Sequence, residues 1–164
     1  MHYLRLSIFI LIVTSIFAVS LAGETMALEK VKYSVVEKEG NFELRRYEPY
    51  VVAETMVEGD FDTVGNQGFR RLFDYISGKN RKQQSISMTA PVNQVIVGDK
   101  YRITFVMPAK YTMETLPEPL DDRVKLKAVP GQLIAAFRYS GTWSKDRYEE
   151  KRIRLQALMR QKDL

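Results

Sequence analysis

Hydrophobic and polar positions alternate with a period of two through most of this chain, and twice the period lengthens to that of a helix. Residues 31–36 and 42–47 are short β-rich runs separated by Lys38-Glu-Gly-Asn41, whose glycine and asparagine favour a turn, so a hairpin is predicted. Glu48-Pro49 interrupts the ladder, and residues 50–58 resume it with Ala53, Thr55 and Val57 on one face and Val52, Glu54, Met56 and Glu58 on the other. A helix follows, with Asp60 or Asp62 able to cap its free N–H groups. Phe69, Leu72, Phe73 and Ile76 at i, i+3, i+4 and i+7 form its apolar stripe, and Arg70, Arg71 and Asp74 lie beside or opposite it. Gly78 ends that helix and residues 79–84 form a polar loop.

Residues 86–97 and 101–107 read as two further strands joined by a Gly98-Asp99 turn, and Pro108 closes the second. Pro117, Pro119 and Asp121-Asp122 mark an irregular connection. Val124, Leu126 and Ala128, then Leu133, Ala135, Phe137 and Tyr139, alternate as two more strands around Pro130-Gly131. Residues 144–162 form a charged helix with Tyr148, Leu155, Leu158 and Met159 on one side, read as a packed outer helix rather than a membrane-surface one. The predicted class is α+β, with helices covering a mostly antiparallel sheet. Two halves of strands plus helix suit a pseudo-symmetric barrel.

The first residues change the picture of where the protein works. Arg5, the apolar run of residues 6–21 and the small residues of Ser20-Leu-Ala22 read as a cleaved leader (residues 1–22), leaving one domain over 23–164 that is periplasmic or secreted. A retained membrane anchor is the alternative, although the run is shorter than the ~20 apolar residues that span a bilayer. The 25 Lys+Arg against 20 Asp+Glu give a net charge of +5, or +4 once Arg5 is removed, with both signs interspersed and no basic run of the nucleic-acid type. Zero cysteine excludes thiolate ligation, Cys-based zinc sites and disulfides.

Candidate chemistry is sparse. Ser85, Ser87 and Thr89 have no histidine base, Ser140 has only Lys145 nearby, and Glu54 with Glu58 reads as a solvated strand face, so no enzyme is indicated. The more informative residues are Tyr75-Ile-Ser-Gly-Lys-Asn80, Ile86-Ser-Met-Thr-Ala-Pro-Val92, Ile103-Thr-Phe-Val-Met-Pro108 and Leu116-Pro-Glu-Pro119. Together they resemble the SOUL family of haem-binding proteins, from about Val31 to about Gly141. The resemblance implies a distorted antiparallel β-barrel with two helices packed outside it, and non-covalent binding of haem or another tetrapyrrole. Members of the family continue past the last helix into closing strands, whereas this chain stops at Leu164, so the expectation is either a truncated barrel with an unpaired edge or a barrel closed differently.

Two departures bear on the ligand. Some members carry an axial histidine where this chain has Arg46, and its one histidine, His2, lies in the leader. A guanidinium has no lone pair to give iron. Other members lay the macrocycle on an apolar patch of the first helix and hold its propionates with basic side chains. Phe73 matches that patch, but Asp74 and Asn66 stand where basic residues are found.

The candidate cofactor-binding set is therefore Phe69, Arg70, Arg71, Leu72, Phe73, Ile76 and Met88, for which core packing of the stripe and solvation of the arginines are the competing readings. Met56, Met107 and Met113, like Met88, offer thioether sulfur, and Tyr47, Tyr50 and Tyr139 offer phenolate. Lys79, Arg81 and Lys82 make a basic loop. A different class is also expected to be compatible with this sequence: a small-molecule effector-binding module, taking hydrophobic ligands in the groove between its halves, as the resemblance of the same barrel to such domains implies.

Overall fold

The structure, a computed structural model, describes residues 28–142 and 144–164. The leader and His2 lie outside them. Strands β2 (Tyr33–Glu39) and β3 (Phe42–Tyr47) form the expected hairpin, turning at Gly40 with φ +54°. The register shifts between Val35 and Glu37, a bulge that twists the outer strand. On its other side β3 pairs with β9 (Gln132–Phe137), completing a three-stranded antiparallel sheet. A four-stranded antiparallel sheet runs in the order β6 (Val92–Val97), β7 (Lys100–Val106), β4 (Tyr50–Val57), β8 (Lys125–Val129). A short parallel pair joins β1 (Glu29–Lys30) to β5 (Thr89–Ala90).

The α+β expectation therefore holds, with two helices and mostly antiparallel strands. Among the described residues the strands fall into these three hydrogen-bonded sheets rather than one unbroken ring. The runs around Pro130-Gly131 do not pair with each other: β8 belongs to the four-stranded sheet and β9 to the three-stranded one. Glu48-Pro49 makes the same crossing between β3 and β4. The two corners touch, since a Cβ on Gly131 would lie 3.1 Å from the Tyr47 carbonyl oxygen and 3.4 Å from Pro49 Cδ, a close backbone approach that glycine permits. Residues 86–97 are likewise not one strand. Ile86 N–H donates back to the Ile76 carbonyl at 2.8 Å, closing the loop after the helix before β5 begins.

Helix α1 (Phe61–Ile76) packs on β4 and β7. Ala53, Thr55 and Val57 face it, as the alternation requires, together with Ile103 and Phe105. Its buried stripe is Phe61, Val64, Gly68, Leu72, Tyr75 and Ile76, not the Phe69, Leu72, Phe73 and Ile76 expected from residue type. The cause is Gly68. A Cβ there would sit 2.3 Å from Ile103 Cγ1, so the line of closest approach runs through a residue without a side chain and turns Phe73 outward. Asp60 stands at the N-cap, but its side chain makes no capping bond; its carbonyl oxygen instead accepts from the N–H groups of Thr63 and Val64, both at 3.0 Å.

Helix α2 (Lys145–Gln161) begins at Ser144, whose hydroxyl accepts from Arg147 N–H. None of its residues is buried. It lies along β9, with Arg154 over the Phe137 ring, Lys162 just past its end bound to Glu37 and Glu39, and Tyr148 5.5 Å from the Phe61 ring.

Candidate functional site

The motifs that carry the family resemblance converge at the C-terminal end of α1, and what they build there is scaffold. Tyr75 is buried and donates its hydroxyl to the Pro117 carbonyl at 2.9 Å, tying α1 to Leu116-Pro-Glu-Pro119. Burial, helped by Tyr111, pushes its phenol up to about 12. Asn80, fully enclosed, donates to the carbonyls of Tyr75 and Gln84 at 3.0 and 2.7 Å and accepts from the N–H groups of Lys82 and Gln84, so one side chain ends the helix and shapes the loop after it. Arg81 N–H meets the Glu118 carbonyl, and Thr89 donates to the Val106 carbonyl at 2.6 Å, seating Met-Thr-Ala-Pro against Val-Met-Pro. These residues fix the orientation of α1, which is where the ligand-facing candidates sit.

The candidates separate by burial. Leu72 is 0% and Ile76 3% exposed, so both belong to the core and offer no face to a ligand. Phe73 is 45% exposed. Phe69, half-buried beside it, lies nearly parallel to Phe73 with ring centroids 6.0 Å apart and 12° between planes, and meets Phe105 of β7 edge-on at 5.1 Å. The result is a two-ring ledge braced from below by the sheet, with Phe73 as its outer ring.

The arginines part in the same way. Arg71 reaches down to the sheet, donating to Thr55 Oγ1 at 2.6 Å and the Met56 carbonyl at 3.1 Å, and lies 3.9 Å from Asp121. Arg123 binds Asp121 through two nitrogens and holds its carboxyl down to about 2. Arg71 is thus occupied as a strut. Arg70 is exposed, one residue from Phe69 and one turn from Phe73, and forms no ion pair among the described residues. Asp74 pairs with Lys79 at 2.9 Å and Arg81 with Glu118 at 2.7 Å, which leaves Lys82 as the loop cation without an ion pair there.

Met88 is half-buried against the core ahead of β5, and Met107 is buried outright, whereas Met56 and Met113 are exposed. Arg46, at the position of an axial histidine in some members, stands exposed on β3, in the sheet that α1 does not cover. No cluster of three or more His, Cys, Asp or Glu able to hold a metal ion occurs among the described residues, and no helix there is long and apolar enough to cross a membrane.

A tetrapyrrole needs a flat apolar face and cations for its propionates. The parallel Phe69–Phe73 ledge with Arg70 at its edge fits that demand on one face; an axial imidazole is not supplied by the described residues, which contain no histidine. Sequence reasoning missed the division of labour because Gly68, Tyr75 and Asn80, which decide it, carry no apolar-periodicity signal.

The class these observations define is an α+β domain with a helix clamped onto an antiparallel sheet and aromatic side chains held outward on that helix. The chain belongs to the SOUL haem-binding protein family: the family model described as "SOUL heme-binding protein" matches residues 28–164. Among curated proteins it is similar to Heme-binding protein 2 of Homo sapiens, 28% identical over 130 residues that cover 74% of this chain and 63% of that protein. Heme-binding protein 2 of Mus musculus is 37% identical over 79 residues, 45% of this chain and 38% of its own. Heme-binding protein 1 of Xenopus laevis is 27% identical over 131 residues, 74% and 68% respectively. The chain therefore matches less than two thirds of the length of either mammalian relative.

Proposed function

We propose that this protein binds haem or a related tetrapyrrole non-covalently on the outer face of α1, stacking the macrocycle on Phe73 and Phe69 and pairing a propionate with Arg70, without an axial histidine. The observation that carries this reading is the exposed Phe73 ring, held parallel to Phe69 on a helix whose own core contacts are satisfied elsewhere. A residue of this size left in water on a polar helix face gains when a ligand covers it, at roughly 25 cal/mol per Å² of apolar surface removed from water. Family membership supports the ligand class. The role is binding, not turnover.

Leu72, Ile76 and Arg71 then act indirectly, by fixing the pitch and rotation of α1, and Met88 lines the core behind it. With residues 1–22 read as a cleaved leader, binding takes place in the periplasm or outside the cell; with the leader retained, it takes place at the membrane surface.

Titration of the protein with hemin and with iron-free protoporphyrin, followed by the Soret band and by tyrosine and tryptophan quenching, tests the proposal. Saturable binding of both at similar affinity is expected, because the platform does not use the iron. Tight binding of hemin alone would replace it with a site that ligates iron.

A further inference from the structure

Opposite α1, the other face of the four-stranded sheet turns toward the three-stranded sheet, and a groove of about 660 Å³ runs between them. Its floor carries the alternate residues of β4 and β7, among them Val52 and Val106, and its far wall is Tyr47 with Ile134. Val52 and Val106 are themselves only 3% and 5% exposed, so the apolar surface left open to a ligand is that of Val95, Val129 and Ile134 along the groove. Arg45 donates to the Tyr47 hydroxyl at 3.2 Å and fixes that ring at the rim.

The charges in the groove are unbalanced. Its lining carries one carboxylate, Glu54, and two cations, Arg102 and Lys127. Arg102 Nε lies 3.9 Å from the Glu54 carboxylate, beyond hydrogen-bonding distance, and Lys127 forms no ion pair among the described residues. The groove thus presents apolar walls, one carboxylate, and two cations whose donors are not taken up by it.

We infer that this groove is a second binding site, separate from the α1 ledge, for a compact amphipathic anion whose apolar body lies between Val95, Val129 and Ile134 and whose acidic group is held by Arg102 and Lys127. A charge-assisted pair in a partly enclosed site supplies the specificity, and the apolar walls supply the area. The same charge pattern disfavours a hydrophobic cation.

The test uses 1-anilinonaphthalene-8-sulfonate, a flat apolar anion that fluoresces when enclosed, beside N-phenyl-1-naphthylamine, its neutral counterpart without the sulfonate. Saturable 1:1 binding of the anion is expected, with affinity reduced about tenfold or more in R102Q and in K127Q. Affinity should rise in E54Q and stay unchanged in F73A. Ile134→Trp, which fills the groove, should abolish binding while thermal unfolding shows the domain intact. Equal binding of the neutral compound, or anion binding that ignores R102Q and K127Q, would overturn the inference. Loss with F73A would overturn it too, by placing the probe on the α1 ledge. Because hemin binding is measured on F73A separately, failure of one site is distinguishable from failure of the other.

Discussion

The two helices are of similar length and lie on similar antiparallel sheets, yet α1 buries six residues and α2 buries none. Helix α1 is held by apolar contact at close range, with Gly68 against Ile103 and the buried Leu72 and Tyr75 behind it. Helix α2 is held by its edges: cations of Arg154 and Lys162 over Phe137 and Phe42, ion pairs from Lys162 to Glu37 and Glu39, and partly covered Leu155 and Leu158. The first arrangement determines a rotation about the helix axis, and so determines which residues face outward. The second tolerates sliding and is weakened by salt. A ligand platform that needs two rings kept parallel belongs on the first kind of helix.

The sharpest break in this comparison comes from matched truncations. Leu72→Ala is expected to destabilise by about 2–5 kcal/mol, since it leaves a cavity under α1, whereas Leu158→Ala on α2 costs less than about 1 kcal/mol; denaturant midpoints measure both. Gly68→Ala follows, at about 1–3 kcal/mol, because the added methyl must displace Ile103. It should also weaken hemin binding by rotating Phe73, an effect that no α2 substitution should share.

Alkali separates the helices next. The Tyr75 phenol has its pKa raised to about 12 in the folded state, so the folded chain keeps a proton that the unfolded chain releases near pH 10. Its contribution is intact below pH 10 and declines as pH rises toward 12, by at most about 1.4 kcal/mol per pH unit. Tyr75→Phe should flatten the pH dependence of unfolding in that window while losing the Pro117 hydrogen bond. The α2 clamp has the smallest effect. Lys162→Gln should lower stability slightly, and only at low salt. The Glu39 carboxyl is lowered by Lys162, so its contribution holds above the usual carboxylate range and fades as pH falls through it.

Much of this was legible in the chain. Alternation located the strands of both sheets, the helix positions followed from the change of period, and Gly98-Asp99 marked the turn between β6 and β7. The rotation of α1 was not, because an apolar count gives weight to Phe69 and Phe73 and none to Gly68, while the close approach that decides the matter belongs to Ile103, thirty-five positions on. Partner choice for β8 and β9 was equally hidden. Pro130-Gly131 marks only a break between two alternating runs, and the strand pairing shows that this crossing, like Glu48-Pro49, switches sheets. The roles of Arg70 and Arg71, adjacent and identical in type, were separable only once Thr55 and the Met56 carbonyl were seen to occupy one of them.

The most direct test of the proposed tetrapyrrole platform is a hemin titration of Phe73→Ala beside the unaltered protein, with thermal unfolding of both. Phe73 is exposed, so stability should be nearly unchanged while hemin affinity falls by about tenfold, as expected when a stacking face is removed. Hemin affinity untouched by Phe73→Ala, in a variant equally stable, would contradict the account and move the tetrapyrrole off α1.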